Sequence, residues 1–325
     1  MKARPTARQP VAYWLAISWL ALVAGLGLLG PWLPLPYSGP ATDLLAIATP
    51  PGAPHYLGTD ALGRDVLAGL LAGAQRLVSI SLPATFLAAA LGALMGGAAG
   101  FWGNTRLRLP VAAAGGLLAA GWWALALPGQ PLALALFLGS ILWFSLLAFR
   151  KMLHRQPAIA LPLDSLVLGT GTLLGAVPRL IMLVALAAGP PLTAYQLLGL
   201  LVIVAWPEPA RLVRAEMLRV RVQPFIEAAW ASGLPPGRIW WRHALPSASQ
   251  SLRSLVPLSL AGLISLESSL AFLGIGQAPD AVSWGSLLAA SRQEPSAWWV
   301  AVAPGLALLL TLLALQKVAA TAKNR

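Results

Sequence analysis

The chain has no cysteine, which excludes disulfides and thiolate metal sites and leaves the compartment open. Charge is almost as scarce: 10% of the 325 residues are Asp, Glu, Lys or Arg, against about 25% in a typical soluble domain. There are only 10 acids and 3 histidines, no Ser/His/Asp set, and no Gly-x4-Gly-Lys motif to cradle a phosphate. Catalysis and nucleotide hydrolysis by this chain alone therefore have no visible apparatus. What is plentiful is apolar, with 58% hydrophobic residues and a mean hydropathy of +0.75. Runs such as VAYWLAISWLALVAGLGLLGPWL (Val11 to Leu33) exceed the roughly 20 residues needed to cross a bilayer core. The expected fold is all-α and polytopic in a membrane.

Because few acids offset 22 Lys and Arg, the net charge is +12, a value that in a soluble chain suggests nucleic acid. Membrane topology accounts for it better, since basic residues collect in cytoplasmic loops. Apolar windows predict eight spans, at about 11–33, 77–101, 110–127, 131–149, 165–188, 195–215, 248–275 and 298–318. Arg106, Arg108, the RKMLHR stretch (Arg150 to Arg155), Arg214, Arg219, Arg221, Arg238 and Arg242 then share one side with both termini. The other side holds few basic residues, chiefly Arg64 and Arg292, so both termini are expected to be cytoplasmic. The N-terminal run is longer than a signal-peptide core and reads as an uncleaved anchor over 1–34, followed by an outer segment 35–76.

The longest polar inner stretch, RAEMLRVRVQPFIEAAWASGLPPGRIWWRHALPSASQSL (Arg214 to Leu252), predicts a helix after Pro224, a cap at Gly233, a turn at LPPG, and a second helix that stops at Pro246. Such a basic, aromatic helix pair could simply lie on anionic lipid. The spacing points elsewhere. Glu227-Ala228-Ala229, three residues, Gly233, nine residues, then His243-Ala244-Leu245-Pro246 resembles the EAA-x3-G-x9-I-x-LP loop of bacterial ABC importer permeases, with His243 where many carry Ile. The resemblance implies a coupling loop, about 222–246, that fits a cleft on an ATPase subunit. There Glu227 would offer a carboxylate and Arg242 a positive charge, while Ala228, Ala229 and Gly233 would give a slim face.

Two further stretches narrow the likeness. HYLGTDALGRDVLAGLLAGAQRLVSISL (His55 to Leu82) and ESSLAFLGIGQAPDAVSWGSLLAASR (Glu267 to Arg292) are similar to segments of the dipeptide, oligopeptide and nickel permeases of the DppC/OppC type. That likeness implies a type I, MetI-like core of six helices within 77–318, ahead of a short tail 319–325. It further implies a second permease, two ATPase subunits that use ATP and Mg, an external solute-binding protein and the bacterial inner membrane. No cofactor, metal or nucleic acid is expected on this chain. One departure is large: a hydrophobic hairpin at about 106–157 is inserted, turning six spans into eight while the later spans keep their orientation. A lipid-facing buttress and a dock for an accessory protein are both readings of it.

His55, Gly58, Thr59, Asp60, Gly63, Arg64 and Asp65 concentrate scarce charge within eleven residues. A metal site is one reading. The preferred one is structural: an outer amphipathic helix, started by Thr59 or Asp60, with an Asp60–Arg64 ion pair at i,i+4 and an apolar stripe of Leu62, Val66 and Leu70. Glu267 lies inside a span, and Arg179 follows Pro178. Intramembrane charge is costly, so pore lining, contact with the partner permease, or a paired structural charge are the readings for both. The alternative from another class is a self-contained secondary transporter or channel, which would carry its own ion site and matching halves. It leaves the EAA-type loop unexplained.

Overall fold

The computed structural model describes residues 11–32, 43, 45–105, 108–110, 158–276 and 281–323. The expected spans at 110–127 and 131–149 lie outside them. Among the described residues four helices are long and apolar enough to cross a membrane, or six if two bent pairs each count as one span. In chain order the helices are α1 (Val11–Leu29), α2 (Val66–Trp102), α3 (Leu163–Ala176), α4 (Arg179–Ala187), α5 (Ala194–Ala205), α6 (Pro207–Val220), α7 (Pro224–Ala231), α8 (Pro236–Phe272), α9 (Trp284–Ala290) and α10 (Trp298–Lys323). The chain is thus an all-α polytopic membrane protein.

Several expected boundaries move, each for a local reason. The span foreseen at 165–188 is broken, with α3 and α4 meeting at 82°. Pro178 denies its N–H to the helix and forces Val177 into extended backbone (φ −99°, ψ 133°). The helix foreseen to stop at Pro246 runs on to Phe272 as part of α8. A π-turn over Trp240–Ala244 widens the helix just ahead of the proline, and that extra width accommodates a ring that an ordinary α-turn would reject.

A short strand pair also appears, antiparallel, joining Arg108–Pro110 to Ala158–Ala160 with Leu109 opposite Ile159. Beside it Asn104 accepts from the Ser165 backbone N–H at 3.0 Å and donates to its hydroxyl at 3.0 Å. The chain therefore leaves α2 and enters α3 from adjacent points.

Packing is set by small residues. On α2, Gly92, Gly96 and Gly100 recur every fourth position and form a stripe against α6, so that a Cβ at Gly96 would lie 2.0 Å from the Ala210 carbonyl oxygen. In a membrane, where lipid competes for apolar surface, such close approach of backbones supplies much of the association. Ile80, Ala84 and Ala88 of α2, Leu197, Leu201 and Val204 of α5, and Leu263 and Leu270 of α8 form the main core. α1 leans on α10, where the Trp19 indole donates to Thr311 Oγ1 at 3.1 Å.

Candidate functional site

The loop between α6 and α8 begins with α7, whose inward face carries Ile226 and Ala229. These join Ile239, Ala244, Leu245 and Ala248 in a cluster that reaches Phe101 of α2 and Val213 and Met217 of α6. Leu245 fills the gap left by Gly97, where a Cβ would sit 2.7 Å from its methyl carbon. Of the loop residues singled out in the sequence, Ala229 and Leu245 are buried anchors, His243 is half-buried, and Glu227, Ala228, Gly233, Arg242 and Pro246 are exposed.

The slim face expected from Ala228, Ala229 and Gly233 together is therefore not what the fold presents, since Ala229 points into the core. Gly233 has another purpose. Its φ is +72° and no atom lies within 4 Å of the place a Cβ would occupy, so the backbone conformation, not crowding, demands glycine. Its N–H bonds the Trp230 carbonyl at 3.0 Å and the Leu234 N–H bonds that of Ala229 at 3.3 Å. This is a Schellman cap, and it fixes the angle at which α7 leaves toward α8. The aromatic character of the helix pair is visible in the sequence, but not which rings face outward: Phe225, Trp230 and Trp241 stand out from the loop, the last 58% exposed. The signal is their density in a polar stretch.

Glu267 is 6% exposed and belongs to a closed polar set. Arg76 Nε donates to Oε1 at 2.5 Å and Ser81 Oγ to Oε2 at 2.5 Å. Arg76 and Ser81 are five residues apart, about 140° away from each other around a regular α-helix. A π-turn over Leu77–Ser81 intervenes, and its i to i+5 bonding brings such residues onto one face. Both carboxylate oxygens are thus satisfied within the chain. Arg179 pairs with Glu208 at 2.8 Å, both about half exposed. A third pair has no signature in the sequence: Arg214 grips Asp164 in two-pronged fashion, with Nη2–Oδ2 at 2.6 Å, and ties α6 to the start of α3. Arg221 Nη1 donates to the Gly100 carbonyl at 3.2 Å near the end of α2, where the helix dipole favours a cation.

The outer cluster is corrected most. Residues 55–65 are turns and a bridge, not a helix, and α2 begins only at Val66. Asp60 makes no helical i,i+4 arrangement with Arg64; its Oδ1 accepts the backbone N–H groups of Leu62 and Arg64, each at 2.8 Å. An aspartate that bonds the backbone just ahead of it makes a turn in preference to a helix. The N-cap is Asp65, not Thr59 or Asp60: Oδ1 accepts from Ala68 N–H at 2.9 Å and Oδ2 meets His55 Nδ1 at 2.8 Å. Thr59 pairs with Asp65 in the bridge, takes the Thr49 N–H at 2.9 Å, and its carbonyl accepts from the Trp299 indole at 3.1 Å. Gly58 and Gly63 have positive φ, and a Cβ on Gly63 would sit 2.1 Å from the Asp43 carbonyl oxygen. Nearby, Ser283 caps α9 through a capping box, and the Trp284 indole donates to the Leu70 carbonyl at 2.9 Å while its ring lies over Gly73.

Comparison with known proteins fits this arrangement. Residues 161–322 match the family described as binding-protein-dependent transport system inner membrane component. A protein of Brucella suis biovar 1 named for a peptide transport system permease is 30% identical over 301 residues, covering 92% of this chain and 81% of its own length. A second protein of that organism, named for a peptide permease, is 28% identical over 287 residues, or 86% of this chain and 75% of its own. The oligopeptide transport system permease protein OppC of Mycobacterium bovis is 27% identical over 283 residues, 86% of this chain and 77% of its own. With its bent helix pairs, its glycine-packed core and its loop between α6 and α8, the chain belongs to the binding-protein-dependent inner membrane component family and is an ABC importer permease of the OppC/DppC type.

Proposed function

We propose that this permease carries peptides inward, as one of two permease subunits driven by two ATPase subunits and fed by an external solute-binding protein. The names of its relatives support the substrate class. In this reading both termini and the loop between α6 and α8 face the cytoplasm, the side favoured by Arg219, Arg221, Arg238 and Arg242. ATP and Mg act on the ATPase subunits, and this chain holds no cofactor.

The observation that carries the coupling role is the division of labour within the loop. Ile226, Ala229 and Leu245 lock it to the membrane helices, while Glu227, Ala228, Trp230 and Arg242 stand outward. A surface that is rigidly anchored and yet presents charge and aromatic area suits a helix seated in a partner's groove. Movement of that groove would then pass directly into α6 and α8. Glu227→Lys tests this, because the side chain is exposed and its reversal leaves the core untouched. In the assembled transporter the variant is expected to keep its membrane level and partner permease, yet lose the stimulation of ATP hydrolysis by loaded binding protein together with uptake. Uptake at the unmodified rate would refute the role of this loop.

A further inference from the structure

Where α1, α8 and α10 converge, a pocket of about 250 Å³ is lined by Tyr13, Gln250, Arg253, Val318, Thr321 and Ala322. Its level is set by three independent markers. Tyr13 lies in the first turn of α1, Thr321 in the last turn of α10, and Arg253 stands 19 residues before the end of α8 at Phe272. Nineteen residues rise about 29 Å, close to the thickness of a bilayer core. The pocket therefore sits at the membrane boundary, on the side from which the loop between α6 and α8 projects.

Its chemistry is one-sided. Arg253 is exposed and forms no ion pair among the described residues. The lining holds no carboxylate, and among the described residues neither the Gln250 amide nor the Tyr13 hydroxyl is spent on a hydrogen bond. The Thr321 hydroxyl is already donated to the Lys317 carbonyl at 2.9 Å. The sequence adds Lys2, Arg4 and Arg8 before Tyr13 and Lys323 and Arg325 after Thr321, with no acid in either flank. A guanidinium, an amide and a phenol opening from between apolar helices form a donor set for an oxyanion whose remainder is apolar. Val318 and Ala322 give its tail a greasy wall.

We propose that this pocket binds the phosphate of an anionic phospholipid, with Arg253 as the charged donor and Gln250 and Tyr13 completing the recognition. A zwitterionic headgroup is disfavoured, because its ammonium meets no carboxylate in the lining and adds charge beside Arg253. The pocket thus selects by net charge, and it staples α1 to α8 and α10.

The test uses the full-length chain in a neutral detergent, with bound lipid read by native mass spectrometry. Phosphatidylglycerol, phosphatidylcholine and inorganic phosphate are the three probes. Phosphatidylglycerol is expected to be retained about fivefold over phosphatidylcholine, the preference corresponding to one basic residue at the surface. Arg253→Gln is expected to erase the preference, Arg253→Lys to keep part of it, and Arg219→Gln, on an exposed arginine of α6, to leave it unchanged. Equal retention by Arg253→Gln and the unmodified chain would overturn the proposal. So would full displacement of phosphatidylglycerol by millimolar inorganic phosphate, which would make the occupant a soluble anion. Should Arg253→Gln fail to fold, the double variant Tyr13→Phe with Gln250→Leu carries the same test, and an unaltered preference there overturns the assignment.

Discussion

Replacing Arg76 by Met should cost this protein far more than replacing Arg76 and Glu267 together. Glu267 is 6% exposed and its carboxylate is held by Arg76 and Ser81 at 2.5 Å each. Removing one member of a buried pair leaves an uncompensated charge, at about 3–5 kcal/mol, whereas removing both is often close to neutral. Arg76→Met strands the acid, so the full range applies. Glu267→Gln strands the arginine, whose side chain is 17% exposed and able to lean toward water, so about 3 kcal/mol is expected. The pair Arg76→Met with Glu267→Gln should lose about 1 kcal/mol or less, because the amide still receives the Ser81 hydroxyl and Met fills the space of the arginine stem. Ser81→Ala removes a hydrogen bond to a charged group, about 1.5–3 kcal/mol. Reversible unfolding in mixed micelles, arranged as a double-mutant cycle, reads these values as a coupling energy. Single losses under about 1 kcal/mol with additive behaviour would show that both groups are solvated, and the closed-pair reasoning would fail.

Two further perturbations bear on packing and on the outer loop. Gly96→Ala places a methyl group 2.0 Å from the Ala210 carbonyl oxygen, so a loss near the upper end of the usual 1–3 kcal/mol, about 3, is expected in thermal unfolding, while Gly262→Ala, with no atom within 4 Å of its Cβ, should leave folding unaffected; equal behaviour of the two would refute the stripe. Asp65→Ala removes both the N-cap of α2 and the partner of His55 and should cost about 1–2 kcal/mol, seen as faster proteolysis within 43–65; Asp65→Asn, which can still cap, should lose less, and identical cleavage of both variants would mean that the cap contributes nothing.

Within the described residues, the apolar helices and the helix-break-helix pattern of the loop are legible in the sequence because both are written in local pattern. Twenty apolar residues announce a membrane segment, though not a break such as the one at Pro178, and EAA-x3-G-x9 spacing survives in the chain as a string. The outer cluster is not legible in its detail. Asp60, Arg64 and Thr59 have the spacing of a capped helix, and the local turn that Asp60 makes is held by tertiary contacts: Trp299 donates to the Thr59 carbonyl, and Gly63 packs on Asp43. Each fixes backbone that a helix would need to coil. Nor does spacing reveal a π-turn. Arg76 and Ser81 lie on different faces at 3.6 residues per turn, so the clamp on Glu267 is invisible until the helix widens between them. Glu267 itself is recognisable by cost alone, since a carboxylate in an apolar run must find a partner.

The two π-turns bear on how the parts of this molecule communicate. One, Trp240–Ala244, lies in the loop end of α8, and the other, Leu77–Ser81, meets Glu267 near the far end of the same helix. α8 spans 37 residues, about 55 Å, through a π-turn at Trp240–Ala244 and a 3-10 turn at Ser249–Ser251, and so joins the proposed coupling surface to the Arg76 clamp. Besides Pro246 and the 3-10 turn over Ser249–Ser251, Pro257 is an interior weak point, because a proline there removes the helical bond to the Arg253 carbonyl. In the proposed coupling role, a push on the loop would reach Glu267 only as far as α8 does not bend, and Pro257 is the irregular point nearest the clamp. The clamp resists movement of Glu267 through two short hydrogen bonds on a buried carboxylate. Bending at Pro257 costs no hydrogen bond that is not already lost, and the half of α8 beyond it is pinned to α9, where Gly285 packs on the Ser268 carbonyl with no room for a side chain. Under the proposed coupling role, the half of α8 that carries the loop would be the part that moves, and the outer half, with Glu267 and Ser268, the frame held in place.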